Sequence, residues 1–360
     1  MKKAVMFLCV CSGVLLVACI SKKSPTGPDS STKWTNFLHS LPKDTVKGYV
    51  DTIPDDVDAI VVDKAGLKWF GSSDPRSENV FSFLSTSTGK VFTGYNTTNG
   101  LPNSHILSMA IDSQGNKWVG FQGGGVSMFN GTTWTTYTAN DGLVDPNNVV
   151  QSITIDKKGN QWLGTSAGFS ERTVSGTWIN YFNFVGSPDK WSDFNSNNVH
   201  CITFDSNGVL WIGNDVGVFY GTTKPGSDTV VFFDSIAPGN DTLWNNIGQF
   251  NAFGCNWITV DRENNKWLCT DIAVGEITAA GTPSVVYWGP YAYQSVSDKS
   301  GNVWVATSGD SGVLKFEPPT NQKSFYPGLA SSNIFSIAVD SSGNIWAGSD
   351  QGIHELPVGK

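Results

Sequence analysis

The chain alternates apolar and polar positions in short runs, and the runs end alike. Apolar residues stand one and three places before an aspartate at Ile60/Val62, Met109/Ile111, Ile153/Ile155, Ile202/Phe204, Ile258/Val260 and Ile337/Val339. A period of two predicts a strand with one buried face. After each run comes Asp-x-x-Gly-x-x-Trp-x-Gly, first as Asp63…Gly66…Trp69…Gly71. It returns from Asp112, Asp156, Asp205, Asp261, Asp298 and Asp340, with Asn264 in the glycine place of the fifth copy. An aspartate folds back onto nearby amides and a glycine accepts positive φ, so the pair predicts a tight hairpin. Asparagine is the residue that best replaces glycine there. The tryptophan falls on the next strand, where it can pack between neighbouring repeats.

Third strands are predicted at Val126–Phe129, Val218–Tyr220 and Val313–Phe316, and fourth strands at Trp134–Tyr137, Trp178–Tyr181 and Val285–Trp288. The aspartates are spaced by 37 to 56 residues, the length of a four-stranded propeller blade. The last copy runs out after its third strand, Gly352–Leu356, while Trp34-Thr-Asn-Phe37 precedes the first copy and matches the fourth strand Trp134–Tyr137. The expectation is an all-β, seven-bladed β-propeller over 33–360, with four-stranded blades and a ring closed by the N-terminal strand around Trp34–Phe37 completing the last blade.

The seven-fold pattern, with the Gly100-Leu-Pro-Asn103 lead-in to the second copy, resembles the two-component regulator propeller repeat. The resemblance extends over nearly all of the chain from Trp34 onward. Sialidase-type Asp-boxes share the turn chemistry and also imply a propeller. In large sensor proteins such propellers lie outside the cell and pass a signal to a kinase; no transmitter, kinase or DNA-binding segment follows the last blade in this sequence.

The N-terminus reads differently. Lys2 and Lys3 precede an apolar stretch, Ala4 to Ala18, too short to span a bilayer but of secretory-signal length. It ends Leu16-Val17-Ala18-Cys19, which resembles the bacterial lipobox; the resemblance implies removal of 1–18 and a lipid on Cys19. Residues 19–32, rich in Ser, Lys, Pro and Gly, form a flexible tether. Ile20 after the cysteine favours the outer membrane by similarity to the enterobacterial sorting rule.

Composition narrows the partners. With a formal charge of −8 and no basic stripe, the chain lacks the clustered Lys and Arg that nucleic acid needs. Beyond the leader the cysteines are Cys201, Cys255 and Cys269, without metal-ligand spacing: they are buried thiols, or one pair is a disulfide. The repeated aspartates each have a turn to hold and are not read as metal ligands. No metal and no cofactor is expected.

Candidate chemistry falls on the loops leading into new inner strands. The two longest, about 183–198 and 234–256, contain Trp191 and Trp244 with Asn246, and Tyr293 lies on the link into the sixth repeat. Aromatic rings beside amides suit sugars, which offer an apolar face and a rim of hydroxyls. Trp191, Trp244, Asn246 and Tyr293 are therefore the candidate ligand-binding residues; the same aromatics can equally fasten the loops. His105 and His200 both precede inner strands and are the weak catalytic candidates. The virginiamycin B lyase family, which looks related, uses a metal with a His/Glu cluster that has no match here. The reading that follows is a monomeric, lipid-anchored envelope module binding a carbohydrate or a partner protein. The alternatives are a lyase or hydrolase acting at the central channel, and a scaffold in a membrane complex.

Overall fold

The computed structural model describes residues 34–37, 56–73, 80–86, 89–181, 183–185, 198–215, 217–223, 229–232, 254–289, 291–309, 312–326, 329 and 331–357. Their regular structure is almost entirely antiparallel strand, as the alternation predicts. Six sheets have four strands and a further one has five. In most of them consecutive strands pair in order, from an inner strand such as Val57–Val62 outward through Lys68–Ser72, Val80–Thr86 and Gly89–Tyr95. The inner strands of successive sheets lie against one another, and that of the last, Ile334–Val339, lies against that of the first.

Each inner hairpin is built by its aspartate. In the second copy Asp112 Oδ1 accepts the amides of Gln114 (3.0 Å) and Asn116 (2.9 Å), while Oδ2 accepts Asn116 Nδ2 (2.8 Å) and the Trp118 indole N–H (3.0 Å). Asp340 does the same for Ser342, Asn344 and Trp346. The turn residue takes positive φ throughout, 86° at Gly115 and 67° at Asn264. An asparagine follows the turn residue in five copies: Asn116, Asn160, Asn265, Asn302 and Asn344. In those five the indole reaches the carboxylate. Where Leu67 or Val209 stands instead, the Trp69 and Trp211 indole N–H groups have no hydrogen-bond partner among the described residues, and a lysine from the next sheet meets the aspartate: Lys117 to Asp63 (3.5 Å) and Lys266 to Asp205 (3.2 Å).

The core lies between sheets. Trp118 packs with Val150, Ile153 and Leu163 of the following sheet, and Trp69 with Ile106 and Val119. The second glycine of the repeat makes this approach possible. A Cβ on Gly120 would stand 2.7 Å from the Val150 carbonyl, and one on Gly348 would stand 2.5 Å from the Val57 carbonyl.

Two parts of the expected architecture are corrected. Four strands per blade does not hold throughout: Asn183–Val185 adds to the outer edge of Thr229–Phe232 in parallel, giving the fourth repeat a fifth strand. This segment lies between the fourth strand of one repeat and the inner strand of the next, and it pairs with an edge that would otherwise stand open. The N-terminal strand is also not what joins first and last sheets. Thr35–Phe37 pairs with Gly352–Leu356 at the outer edge of the last sheet, and Trp34 packs toward the sixth, beside Trp304 and Val313. The joint is made further in, where Ser336 Oγ donates to the Val57 carbonyl (2.8 Å) and Lys68 meets Asp340 (3.4 Å). Three residues on an outer edge cannot supply the side-chain interface that holds two sheets face to face.

Burial alone would raise Asp340, but hydrogen bonds from Trp346 and Asn344 and the nearby Lys68 outweigh it and hold the carboxyl below its ordinary value. Replacing Asp340 by alanine strands buried donors, and a loss on the order of 3 kcal/mol in denaturant unfolding is expected. Asp63→Ala, at a turn without the indole bond, is expected to cost less in the same measurement.

Candidate functional site

Every inner strand carries the same irregularity. The register with the second strand slips between Val57 and Ala59, and likewise at 106/108, 150/152, 199/201, 255/257, 292/294 and 334/336. A bulge re-aims the extra side chain, and here it turns one residue per repeat toward the centre. These residues are unlike one another. Leu107, Tyr293 and Phe335 are apolar or aromatic; Gln151, His200 and Asn256 are polar; Asp58 is acidic. All line one cavity of about 460 Å3. Volumes of this size hold small molecules.

Around this ring the neighbouring residues are tied together. His200 Nε2 lies 2.5 Å from Asp215 Oδ1, which also accepts Asn198 Nδ2 (3.1 Å). Gln151 Nε2 donates to Asn198 Oδ1. Asn256 Nδ2 donates to Asp271 Oδ1 and to the Ala292 carbonyl, both at 3.1 Å, and its Oδ1 accepts Tyr291 Oη at 3.0 Å. Tyr291 and Tyr293 pack with ring centroids 4.6 Å apart, and Tyr293 meets Phe335 edge to face at 5.2 Å. The polar side chains are thus oriented before any ligand arrives, and the aromatic rings form one corner.

Acidic groups set the electrostatics. Burial pushes Asp58 from an ordinary 3.8 up to about 6; hydrogen bonding with Ser73 opposes this, and the neighbouring Asp56 adds to it. Tyr291 is pushed up to about 12, first by burial and then by Asp271 and Tyr293. Tyr293 is raised by burial and by the negative charges of Asp58 and Asp350. Among the described residues no three His, Cys, Asp or Glu side chains gather closely enough to hold a metal ion.

The sequence candidates divide accordingly. Tyr293, His105 and His200 all reach the cavity, His105 on an exposed stretch just before its strand. Trp191, Trp244 and Asn246 lie outside the described residues, as does Cys19. Asp58, Gln151, Asn256 and Phe335 were missed, although a signal was present: each stands five residues before its motif aspartate, as 58 stands to 63 and 335 to 340. Reading that column down the repeats gives Asp, Leu, Gln, His, Asn, Tyr and Phe, the one place in the strand where chemistry changes at every copy. The cysteines among the described residues, Cys201, Cys255 and Cys269, are buried thiols. Burial drives Cys269 up to about 12 and raises Cys255 well above its ordinary value, which leaves them chemically quiet.

Comparison with known proteins gives the repeat a name. Residues 193–215 and 328–351 match the two component regulator propeller family. They contain the fourth and seventh copies of the motif. Among solved structures, the chain resembles the extracellular domain of a hybrid two-component system from B. thetaiotaomicron (18% identity, TM-score 0.65), covering 90% of this chain and 42% of that one. It resembles a virginiamycin B lyase from Staphylococcus aureus (18% identity, TM-score 0.65) over 91% of this chain and 99% of that one. It also resembles PorZ, a surface component of the type-IX secretion system of Porphyromonas gingivalis (17% identity, TM-score 0.61), over 86% of this chain and 48% of that one. The chain therefore spans under half the length of two of these neighbours, and at such identities the likeness is one of fold. No curated protein sequence matches the chain significantly.

Asp58 gives a sign to pH dependence. Because its folded value is raised, the folded state is penalised once the carboxyl must ionise: the penalty is absent below about pH 4, grows toward about pH 6 and is complete above it. Asp58→Asn is expected to stabilise the protein at pH 7.5, by on the order of 2 kcal/mol, and to have little effect at pH 4. Thermal unfolding at the two pH values measures the difference.

Proposed function

We propose that this chain is a cell-envelope binding module that takes its ligand at the central cavity and is held to a membrane, the outer membrane, by a lipid on Cys19. The observation that carries the reading is the division of each inner strand into repeated and variable positions. The turn, the tryptophan and the small residue beneath the next strand recur, while the bulged residue differs in every copy and always faces the same cavity. A ring kept only for stability has no use for seven different side chains at one place; a site that distinguishes a ligand does.

Two kinds of neighbour support an extracytoplasmic setting, one described as the extracellular domain of a two-component system and one as a bacterial surface component. Among the described residues no helix is long and apolar enough to cross a membrane, so the proposed attachment rests on the leader sequence. Carbohydrate and a partner protein at the envelope are the ligand classes proposed. The segments carrying Trp191, Trp244 and Asn246 lead in the chain to Asn198 and Gly254, next to the bulged His200 and Asn256, and are proposed to contribute to the same site.

A catalytic reading rests on His200, whose Asp215 partner would orient the ring, as a general acid–base pair requires. It is the weaker reading because the cavity's second histidine, His105, sits on a different repeat and no described metal-holding trio accompanies them.

A glycan array, followed by cross-linking to envelope proteins, tests the proposal on the purified protein. Binding is expected to fall at least tenfold in Tyr293→Ala and Asn256→Ala and to be unchanged in Thr135→Ala, on an outer strand. Binding that Trp191→Ala or Trp244→Ala abolishes but Tyr293→Ala leaves intact would move the site off the cavity.

A further inference from the structure

We infer that the cavity is built for a small organic cation, an ammonium group carried on an aliphatic or aromatic body. This rests on the cavity being the binding site, and names what the site would select.

Among the described residues lining the cavity the charged side chain is Asp58, and no lysine or arginine stands with it. Behind the lining, Asp215 and Asp271 hold His200 and Asn256. Asp56 and Asp350 lie close enough to act electrostatically on Asp58 and Tyr293 respectively. An anionic group entering here would be repelled by these carboxylates and would meet no lysine or arginine among the described lining residues. Phosphate, sulfate and uronic acid ligands are therefore disfavoured.

The aromatic corner supplies the second half of the argument. Tyr291, Tyr293 and Phe335 form a continuous set of rings, with Tyr293 and Phe335 at an interplanar angle of 87°. Phe335 and Asp58 occupy the same bulge position on adjacent inner strands, those of the last and first sheets. A cation placed between them meets π-faces on one side and a carboxylate on the other. That combination attracts ammonium groups by ring quadrupole and by charge together.

The third point is what the carboxylate lacks. Burial makes ionised Asp58 costly, and the opposing interaction is hydrogen bonding with Ser73, a neutral group. A bound cation would supply a counter-charge where the described residues place none. Binding would then be linked to pH: affinity rises as Asp58 ionises. The other groups facing it are the carboxylates of Asp56, on the approach to its own strand, and Asp350, behind the neutral Tyr293 of the sixth sheet, with His105 and His200 across the cavity. Protonation of Asp58 in acid weakens the attraction.

Isothermal titration of the purified protein with benzylamine and with benzyl alcohol, of nearly equal shape, tests this. At pH 7.5 benzylamine is expected to bind at least tenfold tighter than the alcohol, and several-fold more weakly at pH 5. Asp58→Asn and Phe335→Leu are each expected to reduce benzylamine affinity about tenfold, and Asp58→Asn to remove most of the pH dependence. Circular dichroism checks that both variants fold, and Phe335→Leu carries the test if Asp58→Asn does not. Equal binding of the two probes, both weakened by Phe335→Leu, would overturn the preference for cations and leave the cavity as the binding site. Benzylamine binding untouched by either substitution would overturn both, and no benzylamine binding would overturn the preference for cations.

Discussion

The carboxylate of the motif aspartate is the interaction on which the rest depends. It is an acid placed beside a strand turn in a largely buried setting, with Asp112, Asp205, Asp261 and Asp340 all 6% exposed or less. A buried charge is costly unless its oxygens are saturated, and here one oxygen takes up to two backbone amides while the other takes an indole and an amide side chain. Saturation fixes the turn and also the tryptophan rotamer. With the turn fixed, the register of the inner hairpin is fixed, and a slip of one residue would turn every buried side chain outward. The bulge five residues upstream then falls at the same height in each repeat, and the side chains it releases meet in one cavity. The central cavity is a consequence of the turn chemistry at the other end of the strand.

Sheet-to-sheet contact imposes a second constraint, and it explains where the repeat can drift. Beneath Gly120 and Gly164 the next inner strand offers a backbone carbonyl, and a serine hydroxyl crowds the same space. Neither can move far, so the glycine is required. In the fifth and sixth repeats the serine position holds Trp257 and Gln294, and Cys269 and Ala306 replace the glycine. In these two repeats both positions depart together, whereas in the first and fourth Ala59 and Cys201 take the serine position beside an unchanged Gly71 and Gly213. Ser295, polar where its siblings are apolar, is satisfied by Thr259 Oγ1 at 2.9 Å. What looks in the sequence like erosion of the pattern is local repacking between two adjacent sheets.

Legibility followed locality. The hairpins, the positive φ at Asn264 and the packing of the tryptophans between sheets could be read because each depends on residues within one repeat. The parallel addition of Asn183–Val185 could not, since nothing in three residues states which distant edge they will meet. The joint of first and last sheets was assigned to Trp34–Phe37 because its likeness to Trp134–Tyr137 is visible. The actual contacts, Ser336 with Val57 and Lys68 with Asp340, link residues almost a chain length apart. Of the site, Tyr293, His105 and His200 were reached by looking for chemically conspicuous residues near inner strands. Asp58, Gln151 and Asn256 were passed over because alternation was followed only back to the third position before the aspartate. The column that carries the site was in view and was not read as a column.

That column also explains how a fold can be shared so widely while ligands are not. The bulged residue has little part in the turn, the indole bond or the approach of the next sheet. Exchanging it alters the cavity wall and leaves the scaffold's requirements met, so stability places little restraint on its identity. A lyase, a sensor domain and a secretion component each share the architecture of this chain at 17–18% identity. For the same reason the ligand of a neighbour carries no weight for this chain until the bulged residues are compared one by one. Here that set is one acid, three neutral or histidine hydrogen-bonding groups, two aromatics and a leucine, and on the proposed reading it is this set, more than the propeller around it, that sets the ligand.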